Sequence, residues 1–304
     1  MSHQTLAPQA QGPAAPDDWH LRLFEKSLLK QAKLAEIAGL IGKVADGQAW
    51  LDLGGDNGVI SYHLRHLGGT WHSADLDEKS VASIRRLVGE RVHQLQGARL
   101  PFEDGMFDGV VVIDMLEHVQ DDAQLIAECH RVLKPAARLI VNVPHMKKRA
   151  ILRPIRRLLG LTDARHGHVR PGYTESELFD LLKNGFDVQE ARTYSRFFVE
   201  SLDTLIQLVA RRMNRGQDPG RKGNVIDEQD FRKMKKAFRW YSWLYPVFQF
   251  AAGMDALLGF TKGYSLIMRA RRRPWRPRRT PVLSDGRSIA EAALGGKIGS
   301  AAPF

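Results

Sequence analysis

Residues Leu51-Asp52-Leu53-Gly54-Gly55-Asp56-Asn57-Gly58 carry an apolar strand end into a glycine-rich turn, and Asp75 stands 17 residues after Gly58, at the end of a second strand-like run. Glycines at a strand-to-helix turn let the backbone approach a ligand closely. An acid at the next strand end can accept hydrogen bonds from both hydroxyls of a ribose. Together they predict a nucleotide-type cofactor. A dinucleotide site asks for G-x-G-x-x-G, whose glycines make room for a pyrophosphate, and this turn is spaced differently. A second set of residues could move protons. His118, His145, His166 and His168, with Tyr173 close by, fall in segments expected beside the turn, and an imidazole titrating near neutrality suits removal of a proton from a hydroxyl. His166 and His168 alternate as metal ligands can, but no cysteine or paired acid near them in sequence completes a set, so no metal is expected.

These groups need a scaffold, and the hydropathy pattern supplies one. Apolar residues at helical spacing from Trp19 to about Val44 predict an amphipathic helix across the cofactor edge. Strand and helix patterns then alternate: strand Ala49 to Leu53, helix Ile60 to Leu67, strand Thr70 to Ala74, helix Ser80 to Val88 and a short strand near Val92 to Leu95. Strand Gly109 to Ile113, helix Asp122 to Leu133, strand Arg138 to Val143, helix Thr174 to Asn184 and strand Phe186 to Tyr194 continue the series. Such alternation builds an α/β domain with a parallel sheet covered by helices on both faces, and its ligands bind beyond the carboxyl ends of the strands. Asp77 reads as the cap of the Ser80 helix, and Thr174 with Glu177 as a capping box.

Further along, Leu100-Pro101-Phe102-Glu103-Asp104-Gly105-Met106-Phe107-Asp108 precedes an apolar strand, and Leu116-Glu117-His118-Val119 and Arg131-Val132-Leu133-Lys134-Pro135 follow in order. With the turn at Asp52 to Gly58, this succession resembles the type 11 methyltransferase domain of the class I S-adenosylmethionine-dependent methyltransferases, over roughly residues 48 to 195. Asp56 stands where the family's motif has its second glycine. The resemblance implies a Rossmann-like seven-stranded sheet, S-adenosyl-L-methionine as cofactor, and cofactor contacts at Asp52, Gly54, Gly55, Asp56, Gly58, Asp75, Leu76, Gln96, Gly97, Ala98, Asp114 and Met115. Gln96 takes the place of an acid that faces the adenine amino group in the family, and its amide oxygen can accept the same hydrogen bond. The family's seventh strand returns antiparallel beside the sixth, and 263–270 is the segment that fits it.

The expected organisation is then a disordered N-terminus 1–18, a core 19–195, a helical insertion or lid 196–262 between the sixth and seventh strands, the last strand 263–270, and a basic disordered tail 271–304. The 304-residue chain has a formal charge of +11, and after residue 270 eight basic residues face two acidic ones. Met1 to Asp18 lacks a basic start followed by an apolar run, so it reads as neither signal peptide nor anchor. The single cysteine, Cys129, excludes an internal disulfide and suits a reducing cytoplasm, with the thiol serving as a small apolar group.

Two basic elements, 147–159 and 231–250, are interleaved with apolar and aromatic residues, as at an anionic membrane surface, or in a lid that uses its aromatics as core. A charge at mid-bilayer costs at least about 2.5 kcal/mol, and Asp255 with Pro246 and Gln249 argues against a spanning helix. The predicted activity is methylation of an oxygen on a small molecule, glycan or lipid-linked intermediate, with His145, His168, His118 and Tyr173 as candidate catalytic groups, in a cytoplasmic enzyme peripheral to the inner membrane face. An RNA methyltransferase is the alternative raised by the charge, and Asp114-Met115-Leu116-Glu117 in place of an amino-methylation motif argues against nucleic acid. A non-catalytic binding protein on the same fold is the other.

Overall fold

A computed structural model describes residues 19–147, 152, 156, 168–213, 242–250 and 252–276. The expected disorder of 1–18, the tail beyond 276, His166 and 214–241 lie outside the described residues.

Two helices, α1 (Trp19–Phe24) and α2 (Leu28–Ile41), precede β1 (Ala49–Leu53), α3 (Val59–Arg65), β2 (Thr70–Asp75), α4 (Glu78–Val88) and β3 (Val92–Gln94). There follow β4 (Phe107–Ile113), a 3-10 turn at Leu116–His118, α5 (Asp122–Val132), β5 (Leu133–Pro144), α6 (Glu175–Leu182), β6 (Phe186–Tyr194), α7 (Phe197–Met213), a 3-10 turn at Met254–Leu258, and β7 (Ser265–Arg272). The seven strands form one sheet in the order β3-β2-β1-β4-β5-β7-β6. β7 pairs antiparallel with both β5 and β6, and the other pairings are parallel.

Alternate residues of the central strands serve opposite faces. Leu51, Leu53, Val110, Val112, Leu139 and Val141 meet Leu125, Ile126, Leu178 and Phe179 from α5 and α6. Trp50, Val111, Ile140 and Ile267 meet Ile37, Leu40, Ile41 and Leu64 from α2 and α3. Strands buried on both faces read as near-continuous apolar runs, which is why the pattern was legible. Cys129 is fully buried in the first of these layers, and burial raises its thiol pKa well above the ordinary range, so it packs as an apolar group.

Three expectations need correction. The N-terminal helix is broken, because the Ser27 side chain accepts from the Lys30 N–H and starts α2 anew. β5 begins at Leu133, so α5 passes straight into a strand that first meets Phe107 and resumes pairing, after an irregularity, at Arg138. Residues 271–276 are fastened to the folded domain and are not a free tail: β7 runs to Arg272, the Arg273 guanidinium donates to the Lys183 carbonyl, and the Arg276 N–H donates to the Asn184 carbonyl at 2.6 Å.

Candidate active site

All strands but β7 end at the same edge of the sheet, and the residues singled out by sequence gather there. Asp52 lies beneath the turn, fully buried. Its carboxylate accepts from the Ser61 hydroxyl at 2.6 Å and the Ser73 hydroxyl at 2.8 Å, with Arg65 at 3.7 Å. Burial pushes its pKa upward against those partners. It braces β1, β2 and α3 and so shapes the turn from below. Gly54 (φ 86°) approaches β4 so closely that a Cβ would overlap the Ile113 carbonyl oxygen. At Gly58 (φ 84°), the left-handed cap of α3, a Cβ would sit 2.7 Å from Ile84 Cα. Gly55 packs over Asp52 and Ser61. Asp56 adopts φ 50°, a conformation that aspartate tolerates better than most residues. The turn therefore survives loss of the family glycine, and the new carboxylate lies 3.5 Å from Lys30 of α2.

Asp75 is buried at the end of β2, one oxygen accepting from the Asp56 N–H at 3.3 Å and the other from the Asp77 N–H at 3.2 Å. Each carboxylate oxygen has a second lone pair, so the group can hold the loop and a ribose together. Leu76 follows, half-buried against the core. Gln96 and Gly97 form an exposed tip bridged to Arg99, with Ala98 buried beside them. As expected, Asp77 caps α4 and Thr174 with Glu177 makes a capping box.

Past β4 the chain turns sharply at Asp114 (φ 43°), and Met115 is buried against the turn. Asp114 pairs with Lys33 of α2 and accepts from the Asn142 amide at 2.8 Å, while the Tyr194 hydroxyl donates to the Asn142 oxygen at 2.6 Å. Burial works to lower the Lys33 pKa, but the Asp114 carboxylate overrides it and holds the ammonium above its usual range. Sequence reasoning missed Lys33, Asn142 and Tyr194. The available signal was Asn142, a lone amide in the apolar run of β5.

The proposed proton movers separate. His145 is buried, with Nδ1 2.8 Å from the Gly263 carbonyl and Nε2 3.2 Å from Glu175, which also binds Lys262. Burial alone would raise the Glu175 pKa, yet His145 and Lys262 bring it down to about 2. Tyr173 donates to Asp122 at 2.6 Å within a contact that includes Arg170, and burial raises its pKa. Both therefore act as braces. His118 and His168 are half-buried, with ring centroids 4.6 Å apart, and Glu117 lies against them. The third group that sequence spacing failed to find beside His168 thus comes from the turn after β4, about fifty residues earlier.

Residues 51–141 match the family model described as a methyltransferase domain. A ubiquinone biosynthesis O-methyltransferase from Pseudomonas paraeruginosa is 32% identical over 123 residues, covering 38% of this chain and 51% of that protein. A probable S-adenosylmethionine-dependent methyltransferase from Mycolicibacterium smegmatis is 35% identical over 123 residues, covering 38% of this chain and 43% of that protein. The chain thus spans about half the length of the curated relatives it matches. Among solved structures, an S-adenosylmethionine-dependent methyltransferase from Thermotoga maritima, described as a possible histamine N-methyltransferase, superposes with a TM-score of 0.51 at 14% identity, covering 84% of this chain and 95% of that one.

Proposed function

We propose that this chain, whose residues 51–141 are a methyltransferase domain within a class I S-adenosylmethionine-dependent methyltransferase fold, transfers a methyl group to an oxygen of a small, largely apolar acceptor met at an anionic membrane surface. Carrying the cofactor reading is the turn: a cradle at Gly54 and Gly58 that side chains would fill, with Asp75 at the next strand end. Bound there, S-adenosylmethionine supplies a methyl carbon already activated by sulfonium charge. The protein's part is to hold the acceptor in line with that carbon and to lower the cost of losing its proton. O-methylation is favoured because the relatives include proteins named as O-methyltransferases.

The acceptor class rests on the segment ahead of β7. Because β7 runs antiparallel, the chain enters it from the cofactor edge, and the segment ahead of it is described over 242–250 and 252–263. Tyr245 docks this segment on α2, accepting from the Gln31 amide at 3.2 Å. Asp255 caps α7 by accepting from the N–H groups of Arg196, Phe198 and Val199. The same segment exposes Trp243 at 72%, Phe250 at 76%, Leu257 at 74% and Phe260 at 78%. Four large apolar side chains exposed within one segment of a strongly basic chain suit an interface of lipid and anionic headgroups. Among the described residues no helix is long and apolar enough to cross a membrane. In the stretch 147–159 the described cations turn inward: Lys147 lies over the Tyr264 ring and Arg156 pairs with Glu200 at 2.9 Å. Lys148, Arg149, Arg153 and Arg157, and the cations of 231–241, lie outside the described residues.

The test is transfer of labelled methyl from S-adenosylmethionine into a lysate separated into lipid, RNA, protein and polar small-molecule fractions. Label in the lipid fraction is expected. Label in RNA alone would replace this reading with the nucleic-acid one, and failure to bind the cofactor in calorimetry would leave a fold without this chemistry.

A further inference from the structure

The loop after β4 and the loop before α6 are joined more firmly than a passing contact requires. The Val169 N–H donates to the Glu117 carbonyl at 2.8 Å, and the Arg170 guanidinium donates to the Val119 and Gln120 carbonyls at 3.0 and 2.8 Å. His168, the neighbour of Val169, is thereby held over the 3-10 turn that carries Glu117 and His118. Glu117 is fully buried, the two imidazoles are half-buried, and one ligand atom from each of the three lies within 4.8 Å of the others. The rings meet edge to face at 83°.

We propose that Glu117, His118 and His168 form a binding site for a divalent transition-metal ion at the acceptor side of the cofactor turn. Two imidazoles and a carboxylate, with no thiolate, suit zinc, cobalt, manganese or ferrous iron better than calcium or magnesium. Metal bonds of about 2.0–2.2 Å would draw the three atoms inward by small side-chain rotations. Local charge is favourable too. Lys33 is committed to Asp114, so Asp114, Glu117 and Lys33 together sum to one negative charge, and a cation is accommodated without stranding a buried carboxylate.

The site lies at the end of β4, three residues beyond the Asp114 turn, and three protein groups leave coordination positions open. Its chemical use rests on the methyl-transfer reading above. An ion here would make an acceptor hydroxyl more acidic, a task for which the inward hydrogen bonds of His145 and Tyr173 leave them poorly placed. The hydroxyl proton passes to solvent, the oxygen lone pair forms the new bond to the methyl carbon, and the carbon–sulfur bond breaks with its electron pair remaining on sulfur.

The experiment uses full-length, tag-free protein stripped with chelator and titrated with Co2+, following its visible absorption, with Zn2+ as competitor and cofactor affinity measured separately by calorimetry. The expected result is one Co2+ per chain, displaced by Zn2+, with affinity falling roughly tenfold or more in His168→Asn, His118→Gln and Glu117→Gln. His168→Asn lies on a loop, and an unchanged thermal midpoint would separate its effect from misfolding. Wild-type protein that binds neither ion, with or without S-adenosylmethionine, would overturn the site, as would variants that bind like wild type. Co2+ binding in a protein that fails to bind the cofactor would uphold the metal site and remove the methyl-transfer reading; the reverse pattern would do the opposite.

Discussion

The two halves of the strand-end edge are built from different materials. On the side of β1, β2 and β3, the shape comes from backbone: Gly54 and Gly58 in left-handed conformations, Asp56 between them also at positive φ, and buried Asp52 and Asp75 bonded to hydroxyls and amides 2 to 21 residues away in sequence. On the side of β4 to β7, it comes from side chains that meet across long stretches of chain: Lys33 with Asp114, Tyr194 with Asn142, His145 with Glu175 and Lys262, and His168 with His118. A backbone-built half offers one geometry to one cofactor. The side-chain half can be re-specified by a few substitutions, as a varying acceptor would require.

If that contrast is right, the backbone half should be the more brittle. Gly54→Ala places a Cβ against the Ile113 carbonyl at φ 86°, and strain of this kind costs on the order of 1–3 kcal/mol before the steric overlap is added. Loss of measurable cofactor binding and a lowered thermal midpoint are expected, and a variant that binds normally would break the comparison. Asp75→Ala should weaken cofactor binding by about 1.5–3 kcal/mol through loss of charged-acceptor hydrogen bonds, measured by calorimetry. Unchanged affinity would take Asp75 out of the site. On the other side, Tyr194→Phe removes one buried hydrogen bond to Asn142 and should cost only about 0.5–1.5 kcal/mol in denaturant unfolding, with cofactor affinity retained.

Acid should find the side-chain half first. Glu175 has a folded pKa of about 2 against an ordinary value of 4.5, so its ionised form stabilises the fold above 4.5 and that contribution fades as pH falls from there toward 2. The stability gap between wild type and Glu175→Gln should be constant near neutrality and narrow across that window; a gap independent of pH would dissociate Glu175 from His145 and Lys262. The smallest effect on stability is expected for Trp243→Ser with Phe250→Ser, within about 0.5 kcal/mol at exposed positions, whereas cosedimentation with anionic vesicles should be lost. Wild-type protein that never sediments would end the membrane reading.

The same division explains what the sequence revealed. The turn, the Asp75 strand end, the caps at Asp77 and Thr174, and the range Phe186–Tyr194 of β6 are all local signals, set by residues within a turn or two of one another. The antiparallel seventh strand was placed through the family resemblance, with its end two residues short. Lys33 gave no sign, because a lysine on an amphipathic helix normally faces water and only the tertiary fold sets Asp114 beside it. His145 looked like a substrate-side base because it ends a strand, yet Gly263 and Glu175 enclose it from segments more than a hundred and about thirty residues away. Asp255 weighed against a membrane-spanning helix in the sequence, and its packed role, capping α7 from beyond the undescribed stretch, was invisible there.

The position of β7 also has a bearing on how the chain reaches its native state. β6 pairs in the sheet only with β7, and β7 closes against β5 across the 120 residues 145–264. As the chain leaves the ribosome, β5 must wait with an unpaired edge, and β6 with no partner, until Ser265–Arg272 has emerged. Loop closure of that length makes the last step of assembly slow relative to local helix formation, and the waiting edge is a template for strands of other chains. Supplying a peptide of residues 265–272 to a chain truncated before them should therefore suppress its aggregation during refolding.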